Sequence, residues 1–141
     1  MKRFAVGLAV FAFCSLSTLA HNDAYFDKNP GPHNGHRRMA GPYHLELVTG
    51  KDEITLYVTD HADVPVDTTG GSAKVIISSG KKKRYVVILS GAGDNVLKGQ
   101  GDFKLSKTST ASVLIALPGQ EPQRANFTVS SGNSSKKAHH H

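Results

Sequence analysis

The amino-acid sequence predicts a small all-β protein, an antiparallel β-sandwich or barrel of about seven strands, preceded by a signal peptide and an irregular arm. Three observations lead to this prediction. Short runs of alternating apolar and polar residues recur after residue 42, turn residues separate them, and no segment outside the signal has the helical period. With 141 residues, the chain is long enough for one domain with its own core.

Residues 1–20 have the three parts of a secretory signal. Two basic residues precede an apolar run that ends at Cys14, and the small residues Thr18 and Ala20 stand where signal peptidase requires them. We therefore predict cleavage after Ala20 and a periplasmic or secreted protein that is not embedded in the membrane. Cleavage also removes the only cysteine, so the mature protein would have neither disulfides nor thiolate ligands.

The charge balance argues against nucleic acid as a partner. The whole chain has 17 basic and 11 acidic residues, and loss of the signal reduces this excess. The basic run at residues 81–84 is interpreted as a solvated hairpin turn.

Residues 21–42 are rich in glycine, proline, asparagine and aspartate and show no regular period, so we predict an irregular arm. The β domain is predicted over residues 43–130. Its strand-like runs lie at residues 43–48, 54–59, 72–79, 84–90, 96–97, 103–105, 111–117 and 125–129, the fifth and sixth being weak. The polar tail at 131–141 is predicted to be disordered.

Two hairpins are expected within this domain. The first pairs residues 43–48 with 54–59 through the turn at Gly50. The second pairs 72–79 with 84–90, and because both faces of it carry apolar residues, we predict that it is central and covered on both sides.

Histidines supply the residues for a metal site. Neutral imidazole is a common ligand for late first-row metals, and His21, His33, His36 and His44 fall within 24 residues of one another. Glycine and proline around His33 and His36 allow both rings to face one ion, although both residues also suit a solvated loop. His61 ends the second predicted strand, so the first hairpin would bring it close to His44.

His44 and Glu46 stand two residues apart on one predicted strand and therefore share a face, opposite Leu45. They are either a nitrogen and oxygen ligand pair or ordinary outward polar residues.

Two further ligands are considered. Cleavage after Ala20 would give His21 an α-amine beside its imidazole, the copper-chelating arrangement called a histidine brace; otherwise His21 is an incidental terminal residue. The thioether of Met39 suits Cu(I) or Ag(I), or else serves packing.

The chain is not predicted to be an enzyme. It lacks a Gly-x-Ser-x-Gly elbow, a His-Glu-x-x-His helix and a phosphate-binding loop. A copper-brace enzyme acting on a polymer is disfavoured because the chain has no tryptophan and only four tyrosines to form a flat binding surface.

Three segments carry a resemblance to a known family. Gly31-Pro32-His33-Asn34-Gly35-His36, the strand His44-Leu45-Glu46-Leu47-Val48 and the strand end Tyr57-Val58-Thr59-Asp60-His61 resemble small periplasmic proteins that accompany heavy-metal efflux systems of the resistance-nodulation-division type. They are also similar to the N-terminal domain of some adaptor subunits of those pumps. Asn34 departs from the pattern, which tends to have glycine there.

The resemblance spans roughly residues 31–129 and implies a β-sandwich associated with metal export, with His33, His36, His44, Glu46 and His61 as the residues carried over. Together with His21, these are the predicted metal site. We expect a protein that buffers or delivers a transition-metal ion, copper or silver first and zinc second, to an efflux adaptor. The alternative is a non-catalytic module that docks on an efflux or envelope protein without metal.

Overall fold

The computed structural model describes residues 23–81 and 83–130. One short helix and eight strands make up this part of the chain. They are α1 (Asp23–Lys28), β1 (His36–Ala40), β2 (Tyr43–Thr49), β3 (Glu53–Asp60), β4 (Ser72–Ser79), β5 (Lys83–Gly91), β6 (Val96–Gln100), β7 (Thr110–Ala116) and β8 (Gln123–Thr128). The predicted signal peptide, His21, Lys82 and the predicted tail lie outside the described residues.

All eight strands belong to one antiparallel sheet in the order β1-β2-β3-β6-β5-β4-β7-β8. The end strands β1 and β8 contact each other, so the sheet curls into a nearly closed barrel. Curling encloses a single core and removes most of the exposed edge at the two ends of the sheet. The predicted all-β antiparallel class is confirmed, in its barrel form and with eight strands.

Alternate residues of the strands fill the barrel interior. Burying one such side chain stabilises the fold by roughly 1.5–3 kcal/mol. The largest fully buried side chains are Phe127, Leu45, Leu47, Ile54, Leu56, Ile77, Leu89, Leu97, Ile115, Val58, Val75 and Val87.

The first predicted hairpin is confirmed. Strand β2 pairs with β3, with Tyr43 opposite Asp60 and His44 opposite Thr59, and the N–H of Gly50 donates to the carbonyl of Glu53 at 2.7 Å in the connecting turn. This register places His44 beside the end of β3, where His61 follows.

Part of the predicted irregular arm is regular. Residues 23–28 form α1, and residues 36–40 form β1, which pairs along its length with β2. The sequence of β1 has no apolar alternation, so its strand conformation comes from this ladder and from the burial of Ala40.

Two strand expectations fail. Residues 103–105 form no strand; Phe103 is buried and Leu105 packs against the core, so apolar contacts hold this segment without a ladder. The second hairpin, β4 with β5, exists as predicted but is covered on one face only. Val86 and Ile88 are 56% and 57% exposed on its outer face.

Candidate metal centre

The outer face of β2 is covered by the chain that precedes it. Leu45 and Leu47 point into the barrel, whereas His44 and Glu46 lie on the opposite face, as predicted. Yet His44 is only 2% exposed and Glu46 only 4%. The pair therefore does not behave as ordinary outward polar residues, because the segment leading into β1 closes over both.

Glu46 anchors that segment. Its carboxylate accepts hydrogen bonds from the backbone N–H of His33 and of Gly35, both at 2.9 Å, and from Nδ1 of the His33 ring at 2.8 Å. The His33 ring stacks on Tyr57, with centroids 3.6 Å apart and planes 2° from parallel. A buried carboxylate with three donors is fully engaged, so Glu46 holds the arm in place.

Small residues permit this close approach. A Cβ atom at Gly31 would collide with the Glu46 carboxylate, and one at Gly35 would lie 2.7 Å from Cγ of Glu46. Asn34, between them, has φ of 58°. Asparagine is one of the few side chains that tolerates this left-handed conformation.

A second cluster lies two residues along β2, where His44 meets His61. Nε2 of His44 is 3.1 Å from Nδ1 of His61, and the rings meet edge to face. Nδ1 of His44 is 3.2 Å from the Asp63 carboxylate, and Nε2 of His61 is 2.9 Å from the carbonyl oxygen of Gly41. The predicted proximity of His44 and His61 is therefore confirmed.

These contacts run in a row from Asp63 through His44 and His61 to Gly41. The groups at the two ends of the row can only accept hydrogen bonds. The Asp63 carboxylate and the Gly41 carbonyl require protons on Nδ1 of His44 and Nε2 of His61. Two neutral rings have only these two protons, so their inner nitrogens then meet at 3.1 Å with one lone pair each. A cation at the inner nitrogens, either a third proton or a metal ion, makes this contact attractive.

The tight turn after β3 presents His61 and Asp63. The carboxylate of Asp60 accepts hydrogen bonds from the N–H groups of Ala62 and Val64 at 2.8 and 3.0 Å, and Asp63 has φ of 59°. The side-chain bonds of Asp60 fix the loop conformation, an Asx-type turn, and so set where the next two polar side chains lie.

Helix α1 covers His44, whereas His61 is exposed. Phe26 is 3% exposed, and its ring lies edge to face on His44 with centroids 5.0 Å apart. The guanidinium group of Arg37 lies over the Phe26 ring, 4.8 Å from its centroid, and donates hydrogen bonds to the carbonyl oxygen of Asn29.

A cleft of about 380 Å³ remains open beside this cluster. Its lining includes Pro32, His33, Arg37, His44, Glu46, Tyr57, Thr59, Asp63, Pro65 and Asn95.

The other predicted ligands lie in different places. His33 and His36 do not converge on one ion position: His33 contacts Glu46 and Tyr57, whereas His36 lines a separate depression with Asp27 and Arg38. Burial and the nearby Arg38 lower the pKa of His36, and Asp27 opposes them. His21 lies outside the described residues.

Met39 lies on the strand that neighbours His44. It stands directly opposite His44 in the β1–β2 ladder, so the two side chains share the outer face.

Sequence reasoning missed several partners of this site. Asp63, the Gly41 carbonyl, Phe26 and Tyr57 were not predicted to take part in it. Asp63 had a signal, since it follows His61 by two residues in a turn. Phe26 covers His44 because α1 packs against the sheet, and no local sequence pattern predicts that tertiary contact.

Two absences apply to the described residues alone. Over residues 23–81 and 83–130, no three histidine, cysteine, aspartate or glutamate side chains are grouped to hold a metal ion. The same part of the chain contains no helix with the length and apolar character needed to cross a membrane.

The chain matches no family model, no curated protein and no solved structure.

Proposed function

We propose that this protein is an exported metal-binding protein that holds one transition-metal ion between Nε2 of His44 and Nδ1 of His61. The observation that carries the proposal is the row from Asp63 to Gly41, in which both outer ring nitrogens donate and both inner ones meet at 3.1 Å. The function is binding rather than catalysis.

The surroundings of the pair suit metal ligands. Ligating histidines commonly donate their second ring N–H to a carboxylate or a backbone carbonyl, which fixes the tautomer and the ring orientation. Asp63 and Gly41 occupy these two roles. The inner separation of 3.1 Å also fits two nitrogens at about 2.0–2.1 Å from one ion, the usual metal–imidazole distance.

The choice of ion follows from Met39. A thioether that joined the two imidazoles as a ligand would favour a soft ion, so we propose copper or silver first and zinc second. Met39 shares the outer face with His44, and His21 stays a predicted additional ligand.

The resemblance to efflux accessory proteins suggests the wider role. We propose that the protein buffers the ion, or delivers it to an efflux adaptor, outside the cytoplasm. His44 lines the open cleft and His61 is exposed, and movement of the arm and α1 would widen the path to the buried His44 ring. An arm held by a few contacts opens at lower free energy than the barrel core.

The test is a competition titration of the chain starting at His21, with His139, His140 and His141 replaced by serine, against Cu(I), Ag(I), Cu(II) and Zn(II). We expect one saturable site that His61→Ala abolishes. Asp63→Asn should weaken it about 10- to 100-fold, as loss of an outer partner does. Met39→Leu should weaken Cu(I) and Ag(I) more than Zn(II).

The matched control is His36→Ala, which removes a histidine that lies outside the proposed site. Its affinity should equal that of the unsubstituted chain. Equal losses for His36→Ala and His61→Ala would show scattered histidine binding and would overturn the proposal.

A further inference from the structure

The outer face of strands β5, β4 and β7 carries aliphatic side chains. Val86 and Ile88 on β5 are 56% and 57% exposed. Val86 lies opposite the half-buried Ile76 of β4, and Lys74 of β4 lies between Ile88 and the half-buried Leu114 of β7. Residues that face each other in a ladder point to the same side of the sheet, so these side chains share one surface. We call Ile76, Val86, Ile88 and Leu114 the aliphatic cluster.

Cations lie within and around the aliphatic cluster. Lys74 stands between two of its members, Arg84 lies on the same face of β5, and Arg124 lies on β8. All three are exposed, and none forms an ion pair with another described residue. Strands β4, β5, β7 and β8 contain no aspartate or glutamate. We define the outer patch as these three cations together with the aliphatic cluster.

We propose that the outer patch binds the surface of a membrane that contains anionic lipid. Lipid phosphates pair with Lys74, Arg84 and Arg124, while Val86 and Ile88 enter the boundary between the headgroups and the acyl chains. The contact is peripheral and leaves the barrel unchanged. The proposed metal ligands lie on β2 and after β3, in another part of the sheet, so the two interactions are independent.

The position of Lys74 favours a lipid surface over a protein partner. A protein docked on the outer patch would cover this lysine near the centre of the contact, and lysine is depleted in the cores of protein interfaces. At a bilayer, the lysine stem lies along its aliphatic neighbours while the ammonium group reaches the headgroups. The outside of the curled sheet is also convex, and a fluid surface adapts to it without a matching recess.

A second copy of the chain fits less well. Two outer patches placed face to face would bring Lys74, Arg84 and Arg124 of one copy close to those of the other. Strands β4, β5, β7 and β8 supply no carboxylate to compensate them, and juxtaposed like charges oppose association.

The experiment measures cosedimentation with lipid vesicles. The protein is the chain starting at His21, which contains every described residue, with His139, His140 and His141 replaced by serine. Vesicles consist of phosphatidylcholine alone or of a mixture in which about one third of the lipid is phosphatidylglycerol. We expect binding only to the anionic vesicles, weakened about tenfold or more when the salt concentration rises from about 0.05 to 0.5 M.

Two changes in the outer patch should weaken this binding. The double variant Val86→Ser with Ile88→Ser should lose about tenfold or more in affinity, because less apolar surface enters the bilayer. Lys74→Gln should lose about fivefold, the effect of one cation near an anionic surface. The matched controls are Val64→Ser and Lys51→Gln, since Val64 is 53% exposed and Lys51 is exposed, both outside the outer patch. Their affinities should equal that of the unsubstituted chain.

A measurement on the unsubstituted chain locates the contact without any substitution. Spin-labelled lipid in the anionic vesicles should broaden the amide NMR signals of Lys74, Val86 and Ile88 and leave that of Val64 sharp. Broadening confined to α1 and β1 would overturn the proposal, and so would equal losses of affinity in the patch variants and their controls.

Two other outcomes would replace the lipid by another occupant. Absence of vesicle binding together with self-association that Lys74→Gln alters would assign the outer patch to a second copy of the chain. Absence of vesicle binding together with binding of soluble polyglutamate that Lys74→Gln weakens would assign it to an acidic protein. Either result would overturn the proposal.

Discussion

Glu46 determines whether the arm stays on the barrel. Its carboxylate accepts from two backbone N–H groups and one imidazole of the segment 33–35, so Glu46→Leu removes every acceptor and leaves the backbone N–H groups of His33 and Gly35 without a partner. We expect the arm to be destabilised by about 1–3 kcal/mol, the usual cost of an unsatisfied buried group. Amide exchange of His33 and Gly35 should accelerate, while Val75 in the core should exchange as before. Unchanged protection at Gly35 would contradict this role.

His36 should make stability depend on pH. Burial and Arg38 lower its pKa, so the folded protein favours the neutral ring, while the unfolded chain binds a proton below about pH 6.5. The unfolded state therefore holds more protons in that range, and stability should rise as the pH increases from about 5 to 7.

The check on His36 is urea unfolding across this pH range. The slope of unfolding free energy against pH should be smaller in His36→Gln, because this variant no longer titrates at residue 36. Identical slopes in the two proteins would show that other groups produce the dependence.

At the scale of the element, α1 and β1 cover His44 on the outer face of β2. Helix α1 places Phe26 on His44, and β1 places Met39 opposite the same residue. Neither element was predicted, since six residues of α1 are too few to show a helical period and β1 has no alternation. Tertiary contacts therefore determine the conformation of both elements.

Phe26→Ala should expose His44 without unfolding the barrel. Phenylalanine to alanine costs about 3–5 kcal/mol in a full core, and we expect a smaller loss here, confined to the arm. Carbethoxylation of His44 by diethylpyrocarbonate should become several times faster. Tyr25→Ala is the control, because Tyr25 is 42% exposed; a rate equal to that of Phe26→Ala would contradict the shielding role.

At the scale of the whole molecule, a single core stabilises all eight strands. Phe127 on β8 is 2% exposed and lies near the closure between β8 and β1. We expect Phe127→Ala to lower the free energy of unfolding by about 3–5 kcal/mol. Near- and far-ultraviolet circular dichroism should lose signal together in urea; loss of only the β1 or β8 contacts would contradict a single cooperative barrel.

The sequence predicted the fold well where residues alternate and poorly where contacts are distant. Runs of alternating residues correctly predicted strands β2, β3, β4, β5, β7 and β8. The turn at Gly50 correctly predicted that His61 lies close to His44. The exposure of Val86 and Ile88 was not predictable, because a strand with apolar residues on both faces is typical of a strand covered on both sides. The separation of His33 from His36 follows from Glu46, which lies 10 or more residues away in sequence.

The most direct test of the metal account is a long-range ¹H–¹⁵N NMR spectrum of the imidazoles, recorded before and after one equivalent of Ag(I) or Zn(II). We predict that Nε2 of His44 and Nδ1 of His61 shift to the metal-bound range, while Nδ1 of His44 and Nε2 of His61 keep their protons toward Asp63 and Gly41. Shifts at His33 and His36 with His44 and His61 unchanged would contradict the account.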